Sequence, residues 1–217
     1  MKQVKRKPLI APERPDAEAE VSLPDGTWRD DGWYQNLKLE NLDLSQQIAD
    51  DVVLERSYLR KVNLAQGRLR RVRLSDLIFE DCNLEGLRLE GAILERVEFR
   101  GCRLLGFAAP AASFADVLFD HCDARYARLL DVKAGTLEWH DTMLLEASFQ
   151  SAELTNTVFH NCDLRKCDFR ESRLVGADFR GSRLGALVIH PKDLFGAVIA
   201  PEQAVDLISL LGVQVNC

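Results

Sequence analysis

Along most of the chain an apolar residue returns at every fifth position. Stepping by five from Leu39 to Leu194 meets 32 positions, held by eighteen Leu, eight Phe, four Ala, Trp139 and Ile189. No polar residue interrupts the series, and its phase never slips. An α-helix cannot use this period, because five residues advance about 500° and leave no single apolar stripe. A flat strand cannot use it either, since an odd step sends successive side chains to opposite faces. Only a chain that turns a corner every five residues can aim them all at one axis. The pattern predicts a solenoid, the usual meaning of strong internal repetition.

Longer spacings set the number of sides. A three-sided coil stacks residues fifteen apart, and a four-sided coil stacks residues twenty apart. Twenty gathers Phe79, Phe99, Phe119, Trp139, Phe159 and Phe179 into one column. It also aligns Cys82, Cys102, Cys122 and Cys162, each two positions before a central residue, with Thr142 in the gap. Fifteen scatters both sets. Four sides are expected, and coils spaced like neighbouring strands make a rod roughly 38 Å long.

The units CNLEG (82–86), CDLRK (162–166), CDFRE (167–171) and ADFRG (177–181) resemble the A-(D/N)-L-x-x motif of the pentapeptide-repeat family. The resemblance covers about residues 36–195, with Asp or Asn before the central residue at eight of the 32 positions. It implies an all-β fold, a right-handed four-sided β-helix of about eight 20-residue coils. It also implies a rod-shaped, non-enzymatic interaction protein whose partner is another protein. Some members of the family imitate duplex DNA and bind DNA gyrase, conferring quinolone resistance. That is the alternative function the resemblance offers.

A solenoid exposes backbone and apolar surface at its ends, so both need covers. Residues 1–21 read as a flexible tail by composition, although KPLIAPERP (7–15) could dock on a partner. Residues 22–35 read as an N-terminal cap, with turn signals at Pro24, Asp25 and Gly26 and an aromatic cluster of Trp28, Trp33 and Tyr34. Residues 196–217 hold a short helix over 201–212, with Pro201 at its start and Gly212 at its stop. On that helix Ala204, Leu207, Ile208 and Leu211 share one face, which either closes the rod or pairs with a second copy.

Candidate chemistry is sparse. Five of the six cysteines occupy the position where the repeat wants a small inward residue, and no C-x-x-C pair occurs. They read as buried packing residues rather than metal ligands, in a reduced, cytoplasmic protein. No cofactor is expected. One polar cluster stands out: DHC (120–122), HDT (140–142) and HNC (160–162) lie twenty residues apart. Asp120, His140 and His160 should share one outer column, beside His121 and Asp141 in the next. They could bind a metal or exchange protons, as a metal-dependent enzyme would, or form a solvated ladder beside a flat wall.

Charge adds one more candidate. Seven basic residues and no acid lie between Arg56 and Arg73, and seven acids face two arginines between Asp76 and Glu98. Within the acidic zone Glu80, Glu85, Glu90 and Glu95 form a candidate partner face. The basic zone winds round a coil instead of forming a stripe, which argues against direct nucleic-acid binding. The longest apolar stretch, 104–112, holds Gly106 and Pro110 and falls far short of the roughly 20 residues of a membrane span.

Overall fold

The computed structural model describes residues 7–16, 19, 23, 26–208, 210 and 213. Its strands pair in parallel with partners twenty residues later. One ladder runs unbroken through Lys38, Tyr58, Ile78, Glu98, Leu118, Glu138, Val158, Asp178 and Val198. Three others pass through Asp43, Asn63 and Asn83, through Ile48, Arg68 and Arg88, and through Trp33, Val53 and Arg73. Four ladders make four walls. The fold is therefore an all-β, four-sided solenoid with the twenty-residue repeat that the columns predict.

What turns the corners is a residue two places after each central side chain. At this position the backbone is left-handed, as at Asn41 (φ 54), Asp81 (φ 53), Asp141 (φ 46) and Gly176 (φ 74). A left-handed residue other than glycine costs about 1–2 kcal/mol. The corner amide offsets part of that by donating to the next coil. Asn41 N–H reaches Arg60 O at 3.1 Å, and Asp141 N–H reaches His160 O at 2.9 Å. Each coil thus satisfies backbone groups of its neighbour.

Two corner positions hold residues that resist this conformation, and the coil departs from its pattern at both. Thr136 is β-branched and does not take the left-handed form of its counterparts. The neighbouring central residue, Ala134, is only partly buried. Pro191, whose ring fixes a negative φ, opens a 3-10 turn, Pro191–Leu194, and Leu194 is likewise only partly buried. The other central side chains are buried, so the expectation of a fully buried series fails only at these two positions.

The interior is filled by stacked rings. Phe79 and Phe99 lie 4.9 Å apart, Phe99 and Phe119 4.6 Å, and Phe119 and Trp139 3.8 Å, with the ring planes of each pair nearly parallel. A second stack joins Phe159 to Phe179 at 5.1 Å, and Phe149 lies over Phe169 at 5.0 Å on the opposite wall. All but the closer Phe119–Trp139 pair fall at the short end of the offset-stacking range, so the twenty-residue repeat and ring contact reinforce each other.

At the first coil Trp28 meets Tyr34 edge-to-face at 5.2 Å, and both are buried with Leu23. Trp33 is 61% exposed, because it already belongs to the ladder and points outward. Strand pairing thus begins inside the segment read as a cap; Pro24 and Asp25 lie outside the described residues. At the far end a 3-10 turn, Pro201–Gln203, leads into a short α-helix, Ala204–Ile208. Buried Gln203 donates from Nε2 to Phe179 O at 2.7 Å and to Ser182 O at 2.6 Å. Its Oε1 accepts Ala200 N–H at 2.8 Å. One side chain closes the last coil.

Within the segment read as a flexible tail, residues 7–16 contact the rod. Residues 7–16 lie along the outside of the rod, as an extended chain without regular secondary structure of its own. Ile10 N–H donates to Asp116 Oδ1 at 3.4 Å, Glu13 N–H to Asp76 Oδ1 at 3.0 Å, and Asp16 N–H to Asn36 Oδ1 at 2.9 Å. Composition misses this because the partners lie far away in sequence.

Candidate functional site

The register brings Asp120, His140 and His160 side by side on one wall, as their spacing predicts. Side-chain contacts then divide the group. His140 Nε2 turns to Glu138 Oε2, 2.9 Å away on its own strand, while its ring meets that of His160 edge-on at 5.8 Å. His121 Nδ1 pairs with Asp120 Oδ1 at 2.8 Å. The possible ligand atoms of Asp120, His121 and Asp141 lie within 4.8 Å of one another. Asp141 Oδ1 also accepts Asn161 Nδ2 at 3.2 Å. The trio sits on an open corner with His121 and Asp141 exposed, so water competes for every position. Glu138 is the member that sequence reading missed; it lies two places before His140 on the same side of the strand.

The cysteines are inward, as their column predicts. Cys82, Cys102, Cys122, Cys162 and Cys167 are buried free thiols. Each approaches carbonyl oxygens; Cys122 Sγ lies 3.4 Å from Phe99 O, and Cys167 Sγ lies 2.9 Å from Leu144 O. Thr142 fills its gap with the same geometry, donating to His140 O at 2.7 Å and accepting Cys122 N–H at 3.2 Å. Burial pushes the Cys162 thiol up to about 12 and raises Cys167 as well. All five are buried out of reach of a reagent, so they are expected to resist a disulfide reagent at pH 8 until denaturant unfolds the rod. Rapid labelling of any of the five in native protein would contradict this packing.

Glu80, Glu85, Glu90 and Glu95 do not form one face. Five residues is one side of the coil, so the four fall on four successive walls. Three of them also meet arginines: Glu80 faces Arg60 at 3.5 Å, Glu85 meets Arg103 at 3.1 Å, and Glu95 contacts Arg96. The same stacking cancels the zoning of charge along the chain. Arg70 Nε reaches Asp50 at 2.9 Å, Arg71 Nε reaches Asp51 at 2.8 Å, and Arg96 holds Asp76 through two bonds of 2.7 Å. Each pair is twenty residues apart. The hydrogen bond from Arg71 and its positive charge hold the half-buried Asp51 carboxyl below the usual carboxylate range.

The Asp that precedes a central residue has a local purpose. Asp123 Oδ1 accepts Arg125 N–H at 3.4 Å, while the Arg125 guanidinium folds back on the same carboxylate at 2.8 and 2.7 Å. Asp163 with Arg165, Asp168 with Arg170 and Asp178 with Arg180 repeat it. In all four pairs the side-chain hydrogen bond is the largest cause of the shift: it raises the pKa of each arginine and, at Asp123, Asp163 and Asp168, lowers that of the carboxyl.

On the terminal helix Leu207 packs against the core and Ile208 is half-buried, whereas Ala204 is exposed. The covered side begins at Gln203 rather than Ala204, because the helix opens with a 3-10 turn. Leu211 lies outside the described residues. No helix among the described residues is long and apolar enough to cross a membrane.

Sequence profiles place these coils among known proteins. One described as "Pentapeptide repeats (8 copies)" matches residues 38–76, and one described as "Pentapeptide repeat region" matches residues 92–179. Together they span more than half of the chain. The chain belongs to the pentapeptide-repeat family. No functionally curated protein matches it in sequence. Among solved pentapeptide-repeat structures it is similar to HetL, involved in heterocyst differentiation regulation in the cyanobacterium Nostoc. That match has 18% identity over 78% of this chain and 87% of the other, at a TM-score of 0.44. It is also similar to trypsin-treated QnrB1, a plasmid-mediated fluoroquinolone resistance protein. There the identity is 20% over 86% of this chain and 100% of the other, at a TM-score of 0.49. At these identities and scores the likenesses carry no functional argument.

Proposed function

We propose that this pentapeptide-repeat protein is a non-enzymatic, rod-shaped interaction module that recognises another protein through its walls. The observation that carries the reading is the contrast between a filled interior and flat, regularly spaced exteriors. Stacked rings occupy the axis, which leaves no slot there for a cofactor. The histidine cluster lies on an open wall, whereas most catalysis needs a pocket that excludes water. The walls instead present side chains at fixed intervals of about 4.8 Å, many already locked in ion pairs. Pre-ordered groups lose little entropy on docking.

Imitation of duplex DNA toward gyrase is the competing reading. It needs a continuous negative face, about 22 charges over a rod of roughly 38 Å. Residues 36–195 carry 25 Asp and Glu against 22 Lys and Arg, and the cross-coil pairs interleave them. Two measurements separate the readings. Micromolar protein is expected to leave gyrase supercoiling unchanged, and the double variant His140→Ala, His160→Ala is expected to keep its fold and partner binding. Sub-micromolar gyrase inhibition would favour the DNA-mimic reading. Loss of a bound metal or of an activity in the double variant would favour an enzyme.

A further inference from the structure

The outer side of the rod buries residues that a bare solenoid wall would expose. Ile78 precedes central Phe79 and therefore points outward, yet it is only 4% exposed and stands apart from the interior cluster. Asp76 and Asp116 are corner residues, yet they are 6% and 8% exposed. The segment 7–16 lies against this side. Leu9, Pro12 and Pro15 are its partly buried side chains, at intervals of three. The donated amides, those of Ile10, Glu13 and Asp16, also recur every three residues.

Their acceptors recur every forty. Asp116, Asp76 and Asn36 are two coils apart, and Asn156, the next member of the series, lines one hollow with Lys7. The coils between present Arg56, Arg96 and Thr136 at the same corner. The two lattices match in length. Three residues of a polyproline II chain rise about 9.3 Å, and two coils rise about 9.6 Å. A chain with three residues per turn therefore meets an acceptor on every turn, with Pro8, Pro12 and Pro15 favouring that extended form. Burial pushes the Asp76 carboxyl up, but bonds from Arg96 and the Glu13 amide outweigh it and keep it ionised as an acceptor.

We propose that this side of the rod is a recognition groove for an extended, proline-punctuated protein segment, and that residues 7–16 occupy it as a displaceable internal ligand. The groove reads main-chain N–H groups at three-residue steps through Asn36, Asp76 and Asp116. Between them it takes apolar side chains, against Tyr58, Ile78 and the stem of Lys38, which border the strap near Pro15. The internal segment is suited to exchange, since its main-chain bonds to the rod come once per turn and most of its side chains are exposed, with Asp16 Oδ1 also accepting Asn36 Nδ2 at 2.6 Å. A partner segment with the same period competes for the same acceptors.

This rests on the interaction reading above but is tested apart from it. The probe is a fluorescein-labelled peptide of residues 7–16, read by polarisation against full-length protein. One variant carries Leu9→Gly, Pro12→Gly and Pro15→Gly, which loosen the strap without touching the rod. It is expected to bind the peptide at least tenfold tighter than the wild type, whose groove is filled. Adding Asp76→Ala and Asp116→Ala is expected to abolish that binding. Equal binding by wild type and loosened variant, or binding that ignores both aspartates, overturns the proposal. Hydrogen exchange on the unaltered protein is a second check, with amides 10, 13 and 16 expected to be slower than their neighbours; no such protection also overturns it. A rod that still captures a protein partner while failing these tests loses the groove but keeps the interaction reading.

Discussion

Phe119→Asp is expected to melt the middle of the rod. Phe119 is fully buried, stacked on Phe99 on one side and on Trp139 on the other, at 4.6 and 3.8 Å. The substitution removes both stacks and places a carboxylate where no donor is aimed. An unpaired buried charge costs several kcal/mol, and loss of the ring adds about 3–5 kcal/mol. Together these rival the whole stability of an ordinary domain. In a solenoid each coil leans only on its neighbours, so the damage should divide the rod instead of spreading evenly. Circular dichroism is expected to show a large loss of β signal, with a broadened or two-step melt. A single sharp melt near the wild-type temperature would exclude the buried stack.

Trp139 offers a sharper comparison, because two substitutions should behave oppositely. Trp139→Ala empties a fully buried site between Phe119 and Phe149 and is expected to cost about 3–5 kcal/mol. Trp139→Phe keeps a ring in the column and also removes the indole N–H, which is buried without an acceptor. An orphaned donor costs about 1–3 kcal/mol, which offsets the smaller ring. The Phe variant is therefore expected to unfold within about 1 kcal/mol of the wild type. Denaturant midpoints of the two variants at equal slope measure this directly. If Phe proves as damaging as Ala, the stacking account of this column is wrong.

Interior features were open to sequence reading because the solenoid converts linear spacing into spatial spacing. Central residues, the aromatic column and the cysteine column all follow from counting by five and by twenty. Surface features were harder for the same reason. Glu80, Glu85, Glu90 and Glu95 look like a cluster in the chain, but a step of five carries each to a different wall. Asp76, inside the same acidic zone, matters through Arg96, twenty residues away, and through Glu13, sixty-three away. Nothing local signals the second contact. A signal did exist for the irregular coils. Corner positions avoid β-branched residues and proline throughout the rod except at Thr136 and Pro191, where the left-handed turn is absent. The end helix was less legible, since a single glutamine, apolar neither by type nor by period, fastens it.

The match between strap and rod also constrains how such a gene can lengthen. Losing or gaining a single codon within the coils would swing every later core side chain onto a different face. Gains of sixty nucleotides, one full turn, leave the interior intact and are the natural step of growth. Yet one added turn between Asp76 and Asp116 would carry Asp116 off the alternate-coil series that the N-terminal segment follows. Only a duplication of two turns preserves both the packed interior and the spacing of the outer acceptors. A chain that keeps its strap should therefore have gained the coils between Asn36 and Asp116 in pairs.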